Sequence, residues 1–281
     1  MMTVNELYRK SVVLLENAGI EDAEFDARCL LEYALNVDTT QYFMLRSENI
    51  NSHISEHYNE LIKNRISGIP LQYLLGKWEF MGNEFYVGDG VLIPRPETEQ
   101  LVELACEFLK DKEDPVVVDM CSGSGCIAVS VAKSFKNSKV FAVEKYDKAF
   151  SYLKKNIEHN HADNVIPIKG DLFDKNVLSG ILPDLIVSNP PYIRKDDLKF
   201  LQTEVLHEPV TALDGGNDGY DFYRFLCGYW FGEYLPENSA MMLECAEDQG
   251  DYILSMFSRF TDDSSIHYDF NNLQRIVTAF K

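Results

Sequence analysis

Four residues in the stretch DLIVSNPPYIRK, residues 184–195, have the types and spacing of a site that holds a reacting group. Consecutive prolines lack backbone N–H donors, so neither a strand nor a helix continues through Pro190 and Pro191. The residue before a proline favours an extended conformation, which places Asn189 at the end of the apolar segment. The Asn189 side-chain oxygen and the Pro190 carbonyl are acceptors, and Tyr192 offers a flat ring. The pattern predicts a turn that binds a planar nitrogen.

A second motif, VVVDMCSGSGCIAV at residues 116–129, has the pattern of a strand, a glycine turn and a helix. Glycines allow a sharp turn and a close approach of the backbone to a ligand. The following strand ends at Glu144, whose carboxylate can accept hydrogen bonds from both hydroxyls of a ribose. The third strand ends at Asp171, which could face an adenine amino group with Leu172 against the ring. We therefore predict a nucleoside-cofactor site that includes Asp119, Gly123, Gly125, Glu144, Asp171 and Leu172.

Two cofactors are compatible with this glycine turn. The run from Gly123 to Ala128 fits the dinucleotide pattern GxGxxA, which favours NAD. Asp119 favours S-adenosylmethionine, because an acid before the turn would repel a pyrophosphate but suits a cofactor with a positive end. We predict S-adenosylmethionine and no metal site, since His53 and His57 share a helix face without further ligands.

The chemistry that joins the two motifs is an in-line displacement on a sulfonium methyl group. An amide nitrogen is a poor nucleophile because its lone pair is delocalised, and two fixed acceptors for its N–H groups orient that lone pair. The positive charge is lost during transfer, so a dry, oriented site serves better than a strong base. The predicted catalytic residues are Asn189, Pro190 and Tyr192, and the predicted substrate-binding residues are Asn189, Pro190, Pro191 and Tyr192.

The elements that position these motifs change along the chain. Apolar residues recur at helical spacing and glycine is almost absent before residue 65, which predicts a small all-helical N-terminal domain, residues 1–70. Aromatic and β-branched residues around Gly82-Asn83 predict a β-hairpin linker, residues 71–95. Strands and helices then alternate, which is typical of a mostly parallel sheet covered by helices. We predict an α/β domain over residues 96–281 with seven strands, the last two forming a hairpin at the sheet edge.

Composition limits the partners. The net charge is −19 and repels nucleic-acid phosphates at long range, so direct nucleic-acid binding is not expected. No apolar run approaches the ~20 residues that span a bilayer. The six cysteines show no CxxC pair and indicate reduced thiols in the cytoplasm. We predict a cytoplasmic monomer, without membrane attachment, that acts on a protein or a small molecule.

Four further segments resemble one family. The turn NPPY after a cofactor-type glycine turn is similar to that of amino-methyltransferases, which modify planar nitrogens. The PrmC/HemK family, the release factor glutamine methyltransferases, has segments that resemble GIPLQYLLGKWEFMGNEFYV (68–87), VLIPRPETEQLVE (91–103), HEPVTALDGGNDGYDFYRFL (207–226) and LECAEDQGDYI (243–253). The segments occur in the family's order, and the resemblance covers nearly the whole chain.

The resemblance implies a class I, Rossmann-like methyltransferase whose N-terminal domain recognises the substrate protein. It implies methyl transfer from S-adenosylmethionine to the side-chain amide nitrogen of the glutamine in the Gly-Gly-Gln motif of peptide chain release factors. It also adds Cys121, Ser122, Ser124 and Asn189 to the cofactor contacts. Cys121 stands where the family has the first glycine of its turn, and its small side chain is compatible with that position where a negative φ suffices.

Alternatives remain from the residues themselves. The turn NPPY also permits an adenine-type amino-methyltransferase acting on nucleic acid, which the acidic charge disfavours. A cofactor-sensing module without turnover and an NAD oxidoreductase are the other candidates. The glycines of the loop GGNDG, residues 215–219, predict either a mobile lid or a simple connection.

Overall fold

The computed structural model describes residues 2–281, which divide into two compact units. The first unit comprises the chain up to Lys77 together with the segment Gln202–His207. The second comprises Trp78–Leu201 and Glu208–Lys281. The functional domain boundaries predicted near residues 70 and 95 remain a prediction. No helix within residues 2–281 has the length and apolar character needed to cross a membrane.

The first unit is helical. Its first helix begins with a capping box, in which the Thr3 hydroxyl accepts from the Glu6 N–H and the Glu6 carboxylate accepts from the Thr3 N–H. A short helix, Thr39–Leu45, begins with a second capping box, which Asp38 and Gln41 form. The helices are α1 (Val4–Asn17), α2 (Ala23–Leu35), α3 (Thr39–Leu45), α4 (Ser52–Ile66) and α5 (Leu71–Leu75).

A buried ion pair lies inside this unit. The guanidinium of Arg65, on α4, donates to the Asp26 carboxylate on α2 at 2.6 Å, and both side chains are about 5% exposed. Arg65 also pairs with Glu204 in the segment Gln202–His207. Removing one partner of such a pair would leave a buried charge uncompensated. The pair therefore fixes the packing of α2 on α4.

The second unit begins with the hairpin of β1 (Lys77–Phe80) and β2 (Asn83–Tyr86). The predicted hairpin is present, but its turn is Met81-Gly82, where both residues have positive φ, and Asn83 begins the second strand. Positive φ at both central residues is the conformation that matches the twist of a two-residue hairpin.

A seven-stranded sheet forms the centre of this unit, as predicted. The strands are β3 (Val116–Met120), β4 (Lys139–Glu144), β5 (Val165–Lys169), β6 (Leu185–Ser188), β7 (Ala240–Glu244), β8 (Ser264–Tyr268) and β9 (Gln274–Phe280). Their order is β5-β4-β3-β6-β7-β9-β8; the first five are parallel, and β9 runs antiparallel to both of its neighbours, β7 and β8.

Both faces of the sheet are covered, because successive strand residues point to opposite sides. Val117 belongs to the core beneath helices α6, α7 and α8, whereas its neighbour Val118 belongs to the core on the other face. That second core contains Trp230 and Phe257. The helices are α6 (Glu97–Leu109), α7 (Cys126–Ser134), α8 (Asp147–His159), α9 (Asp221–Phe225) and α10 (Gly250–Phe257).

One helical segment of this unit changes its hydrogen-bond pattern along its length. After α9 the chain continues as a π-helix, Leu226–Tyr234, which turns four aromatic side chains toward neighbouring loops and the core. A π-helix of this length is rare and is frequently found near functional sites.

The sheet reverses its winding between β3 and β6. From β3 the chain proceeds outward to β4 and β5, and then returns to place β6 on the opposite side of β3. Ligands of open α/β sheets bind beyond the carboxyl ends of the strands at such a switch point. The glycine turn after β3 and the proline turn after β6 therefore meet at this point.

Candidate active site

A cleft of about 940 Å³, including its open mouth, lies at the switch point. Most of the sequence-predicted site residues line it: Cys121, Ser122, Gly123, Ser124, Glu144, Asp171, Leu172, Asn189 and Pro191. Asp119, Gly125, Pro190 and Tyr192 are not among its lining residues.

The glycine turn is built from left-handed backbone. Gly123 and Gly125 have φ values of 54° and 82°. Cys121 has a φ of 62°, so the negative φ with which a cysteine is compatible at this position is not present. A side chain in this region is strained, because its Cβ approaches the following carbonyl. Cys121 therefore holds a conformation that glycine adopts without this strain.

Glu144 closes the turn from the next strand. Its Oε2 accepts from the Gly123 N–H at 3.0 Å, and its Oε1 accepts from the Tyr146 N–H at 2.7 Å. Burial raises the pKa of Glu144, and these backbone donors oppose the rise. The carboxylate thus lines the cleft in a fixed orientation.

Asp119 lies behind the turn, with no exposed surface. Its Oδ2 accepts from the Ala128 N–H at 3.2 Å, whereas its Oδ1 is buried without a hydrogen-bond partner within residues 2–281. Burial raises the pKa of this carboxyl to about 7. Its predicted contact with the positive end of a cofactor remains a prediction, because the side chain does not line the cleft.

The far wall of the cleft contains two aromatic residues that sequence reasoning missed. Phe173 and Phe222 both line it, with ring centroids 5.2 Å apart. Leu172 beside them is buried, and its carbonyl accepts from the indole N–H of Trp230 at 2.9 Å. Asp171 forms an ion pair with Lys145 at 2.8 Å. In the sequence, the aromatic residues of the segments KGDLF and DFYRF could have indicated a ring-binding wall. Whether the two segments lie close together depends on the fold.

The proline turn is held by side chains from other elements. The Asn189 amide nitrogen donates to Glu244 Oε1 at 2.7 Å and to Thr98 Oγ1 at 3.2 Å. Because both acceptors hold the nitrogen end of the amide, its oxygen end is the part left to receive a substrate N–H. The Tyr192 carbonyl accepts from the Gln249 side chain at 3.0 Å. Sequence reasoning missed Thr98, and it assigned no role in the site to Glu244 or Gln249.

The glycine loop after the proline turn is paired with it. Ile193 N–H donates to the Leu213 carbonyl at 2.9 Å, and Gly215 N–H donates to the Ile193 carbonyl at 2.8 Å. A Cβ added to Gly215 would lie 2.7 Å from the Tyr192 Cα. These contacts support the alternative of a fixed connection over that of a mobile lid.

Arg95 forms part of the cleft wall and pairs with Glu208. The second oxygen of Glu208 accepts from the Ile93 N–H at 3.0 Å. Arg95 therefore anchors the segment before α6 to the segment before the glycine loop.

Comparisons with known proteins define the class. The family profile described as "PrmC N-terminal domain" matches residues 6–76, and that described as "TRM5/TYW2 methyltransferase domain" matches residues 88–206. The solved hMettl16 catalytic domain in complex with MAT2A 3′UTR hairpin 6 has a TM-score of 0.58. It is 15% identical over 79% of this chain and 82% of that chain, and this likeness concerns the fold alone. The fold and the matched domain are those of a class I methyltransferase, whose cofactor is S-adenosylmethionine.

Curated relatives define the family. The release factor glutamine methyltransferase of Geobacter sulfurreducens is 38% identical over 94% of this chain and 91% of its own length. The release factor glutamine methyltransferase of Clostridium acetobutylicum is 32% identical over 100% of this chain and 99% of its own length. The chain belongs to the release factor glutamine methyltransferase family, as the sequence motifs predicted.

Proposed function

We propose that this enzyme transfers a methyl group from S-adenosylmethionine to the side-chain amide nitrogen of the glutamine in the Gly-Gly-Gln motif of peptide chain release factors. The observation that carries the proposal is the anchored amide of Asn189, whose nitrogen is held by Glu244 and Thr98 at the rim of the cleft. The names of the curated relatives support the substrate class.

The residues of the cleft suit the cofactor. Glu144 is a fixed carboxylate that can accept from ribose hydroxyls, and the left-handed turn at Gly123 lets the backbone approach a ligand closely. Leu172, Phe173 and Phe222 form an apolar wall for the adenine ring. Asp119 lies behind the turn, and its contact with the cationic end of the cofactor stays a prediction. When bound, S-adenosylmethionine supplies a methyl group on a positively charged sulfur.

The proline turn orients the substrate nitrogen. The Asn189 side-chain oxygen and the Pro190 carbonyl accept its two N–H groups, and Tyr192 packs beside the planar amide. The nitrogen lone pair is then directed into the cleft, where S-adenosylmethionine, when bound, would supply the methyl group. The methylated nitrogen releases one proton to solvent. The rate therefore depends on the positioning of the substrate nitrogen and on the exclusion of water, as expected for a reaction that loses charge.

The partner is a protein. With a net charge of −19, the surface opposes nucleic-acid phosphates at long range and suits a partner that carries basic segments. We infer that the enzyme works in the cytoplasm as a monomer, with its helical N-terminal unit recognising the release factor away from the glutamine.

The test is methyl transfer with labelled S-adenosylmethionine. A bacterial release factor should become labelled, and the same factor with its motif glutamine replaced by asparagine should not. Equal labelling of both proteins would refute the proposed target. Labelling of duplex DNA or of RNA at adenine, with none in the release factor, would instead establish the alternative amino-methyltransferase activity.

A further inference from the structure

Glu244 is a buried carboxylate with no role yet in the reaction. It ends β7, is 3% exposed, and does not line the cleft. Its Oε1 accepts from the Asn189 amide nitrogen at 2.7 Å, and its Oε2 is buried without a hydrogen-bond partner within residues 2–281. A buried charge without full compensation is costly, which calls for a reason for its presence.

The two arginines whose charges act on this carboxylate, Arg275 and Arg95, form their ion pairs with other acids, Asp269 and Glu208. The hydrogen bond that Oε1 of Glu244 accepts comes from Asn189. A hydrogen bond to an ionised acceptor is shorter and stronger than one between neutral groups. Its length of 2.7 Å fits that description.

Thr98 completes the arrangement from another element. It lies in the first turn of α6, is 2% exposed, and its hydroxyl oxygen accepts from the same Asn189 nitrogen at 3.2 Å. The two N–H groups of the amide are thus matched by two acceptors. An amide flipped by 180° would point its oxygen at a carboxylate, so only one orientation is stable.

We propose that Glu244, as a carboxylate, is a positioning residue that together with Thr98 locks the Asn189 amide with its oxygen toward the substrate and increases the negative charge on that oxygen. The inference rests on the proposed function, because it concerns how Asn189 accepts from the substrate nitrogen. A carboxylate that accepts from the amide N–H draws the amide toward its charge-separated resonance form. The Asn189 oxygen becomes a stronger acceptor as a result.

The role of Glu244 gives the reaction a pH dependence. Burial raises the pKa of Glu244 to about 7, and the negative charge of Glu97 raises this pKa further. The Thr98 hydroxyl and the positive charges of Arg275 and Arg95 lower it. Below that pH the neutral acid is a weaker acceptor, so the transfer rate falls as the pH falls. The other ionisable groups around Glu244 are Cys126, Tyr192, Tyr223 and Cys245, whose pKa values burial raises.

The kinetic test compares Glu244→Gln with the wild-type enzyme from about pH 5.5 to about pH 8.5, using a release factor as substrate. The wild-type kcat should rise with pH through a midpoint near 7. Glu244→Gln should lower kcat about 100-fold and remove the fall in kcat at low pH, called the acidic limb below. The cofactor Kd should stay within about twofold of wild type. Retention of the limb in Glu244→Gln would overturn the proposal. Glu103→Gln, an exposed carboxylate of α6, is the matched control.

Thr98 offers an independent check of the geometry. Thr98→Val should lower kcat about 10-fold while keeping the acidic limb, because one acceptor is lost and the carboxylate stays. Thr98→Ser should restore most of that loss, since it keeps the hydroxyl. Equal activity of the valine and serine variants would exclude Thr98 from the positioning role.

A second readout does not depend on activity. In protein labelled with ¹⁵N at asparagine, the Asn189 side-chain amide signals are assigned by their absence in Asn189→Ala. Their shifts should titrate with a midpoint near pH 7 in wild type and not in Glu244→Gln. If release factors are not methylated at all, the proposed function is refuted, and this titration still tests whether Glu244 acts on the Asn189 amide. A flat profile in wild type would overturn the inference.

Discussion

The two turns at the carboxyl ends of β3 and β6 reach one cleft by different means. The glycine turn is shaped by its own backbone, with left-handed φ values at Cys121, Gly123 and Gly125. The proline turn has a rigid backbone, but its reactive side chain is oriented by residues 55 and 91 positions away in sequence. The cofactor side is therefore specified locally, whereas the substrate side depends on the packing of β7 and α6 around it.

The largest fall in kcat is expected from a substitution in the proline turn, on the substrate side of the cleft. Asn189→Ala removes the acceptor for the substrate N–H and should lower kcat by about 1,000-fold or more. Cofactor binding, measured by calorimetry, should change little, because the glycine turn and Glu144 are untouched. Asn176→Ala, at an exposed position, is the control. An active Asn189→Ala enzyme would contradict the proposed mechanism.

The backbone support of the proline turn predicts the next effect. Gly215→Ala places a Cβ 2.7 Å from the Tyr192 Cα and 2.9 Å from the Pro191 carbonyl oxygen, so the turn must shift. Because small misplacements of reacting groups are costly, kcat should fall about 30- to 100-fold. The matched control is Gly228→Ala, whose Cβ meets no atom within 4 Å. Equal kcat values for the two variants would show that the turn tolerates displacement.

A substitution on the cofactor side of the cleft should change the affinity for S-adenosylmethionine rather than kcat. Trp230→Phe removes the N–H that the buried Leu172 carbonyl accepts at 2.9 Å, which should cost about 1–2 kcal/mol. The Kd for S-adenosylmethionine should rise roughly 5- to 20-fold, with kcat at saturation almost unchanged. Phe231→Leu alters the same core away from Leu172 and is the control. A fall in kcat without a change in Kd would contradict the assignment.

The smallest effect isolates backbone strain in the glycine turn. At the left-handed Cys121, glycine is free of the Cβ penalty that alanine keeps. Cys121→Gly should therefore be more stable than Cys121→Ala by about 1 kcal/mol, measured by urea unfolding. A less stable glycine variant would show that the surrounding contacts relieve the strain.

The sequence predicted the architecture and the family, and both are confirmed. Alternating strands and helices after Pro115 predicted the seven-stranded sheet, because central strands such as β3, β6 and β7 have the apolar composition of buried parallel strands. The short α3 was not predicted, and periodicity does not distinguish the π-helix from an ordinary helix. The left-handed φ of Cys121 was not predicted either, since cysteine is compatible with ordinary backbone where the turn has the left-handed form.

The sequence by itself determined the two turns and the chemistry that they permit. Glycine freedom, proline rigidity and the asparagine amide are properties of residues close together in the chain, so a motif contains them. Only the tertiary structure decided which way the Asn189 amide faces, because Thr98, Glu244 and Gln249 come from α6, from the end of β7 and from the residue before α10. It also decided that Phe173 and Phe222 share a wall. Such contacts depend on strand order, which brings distant segments to one switch point.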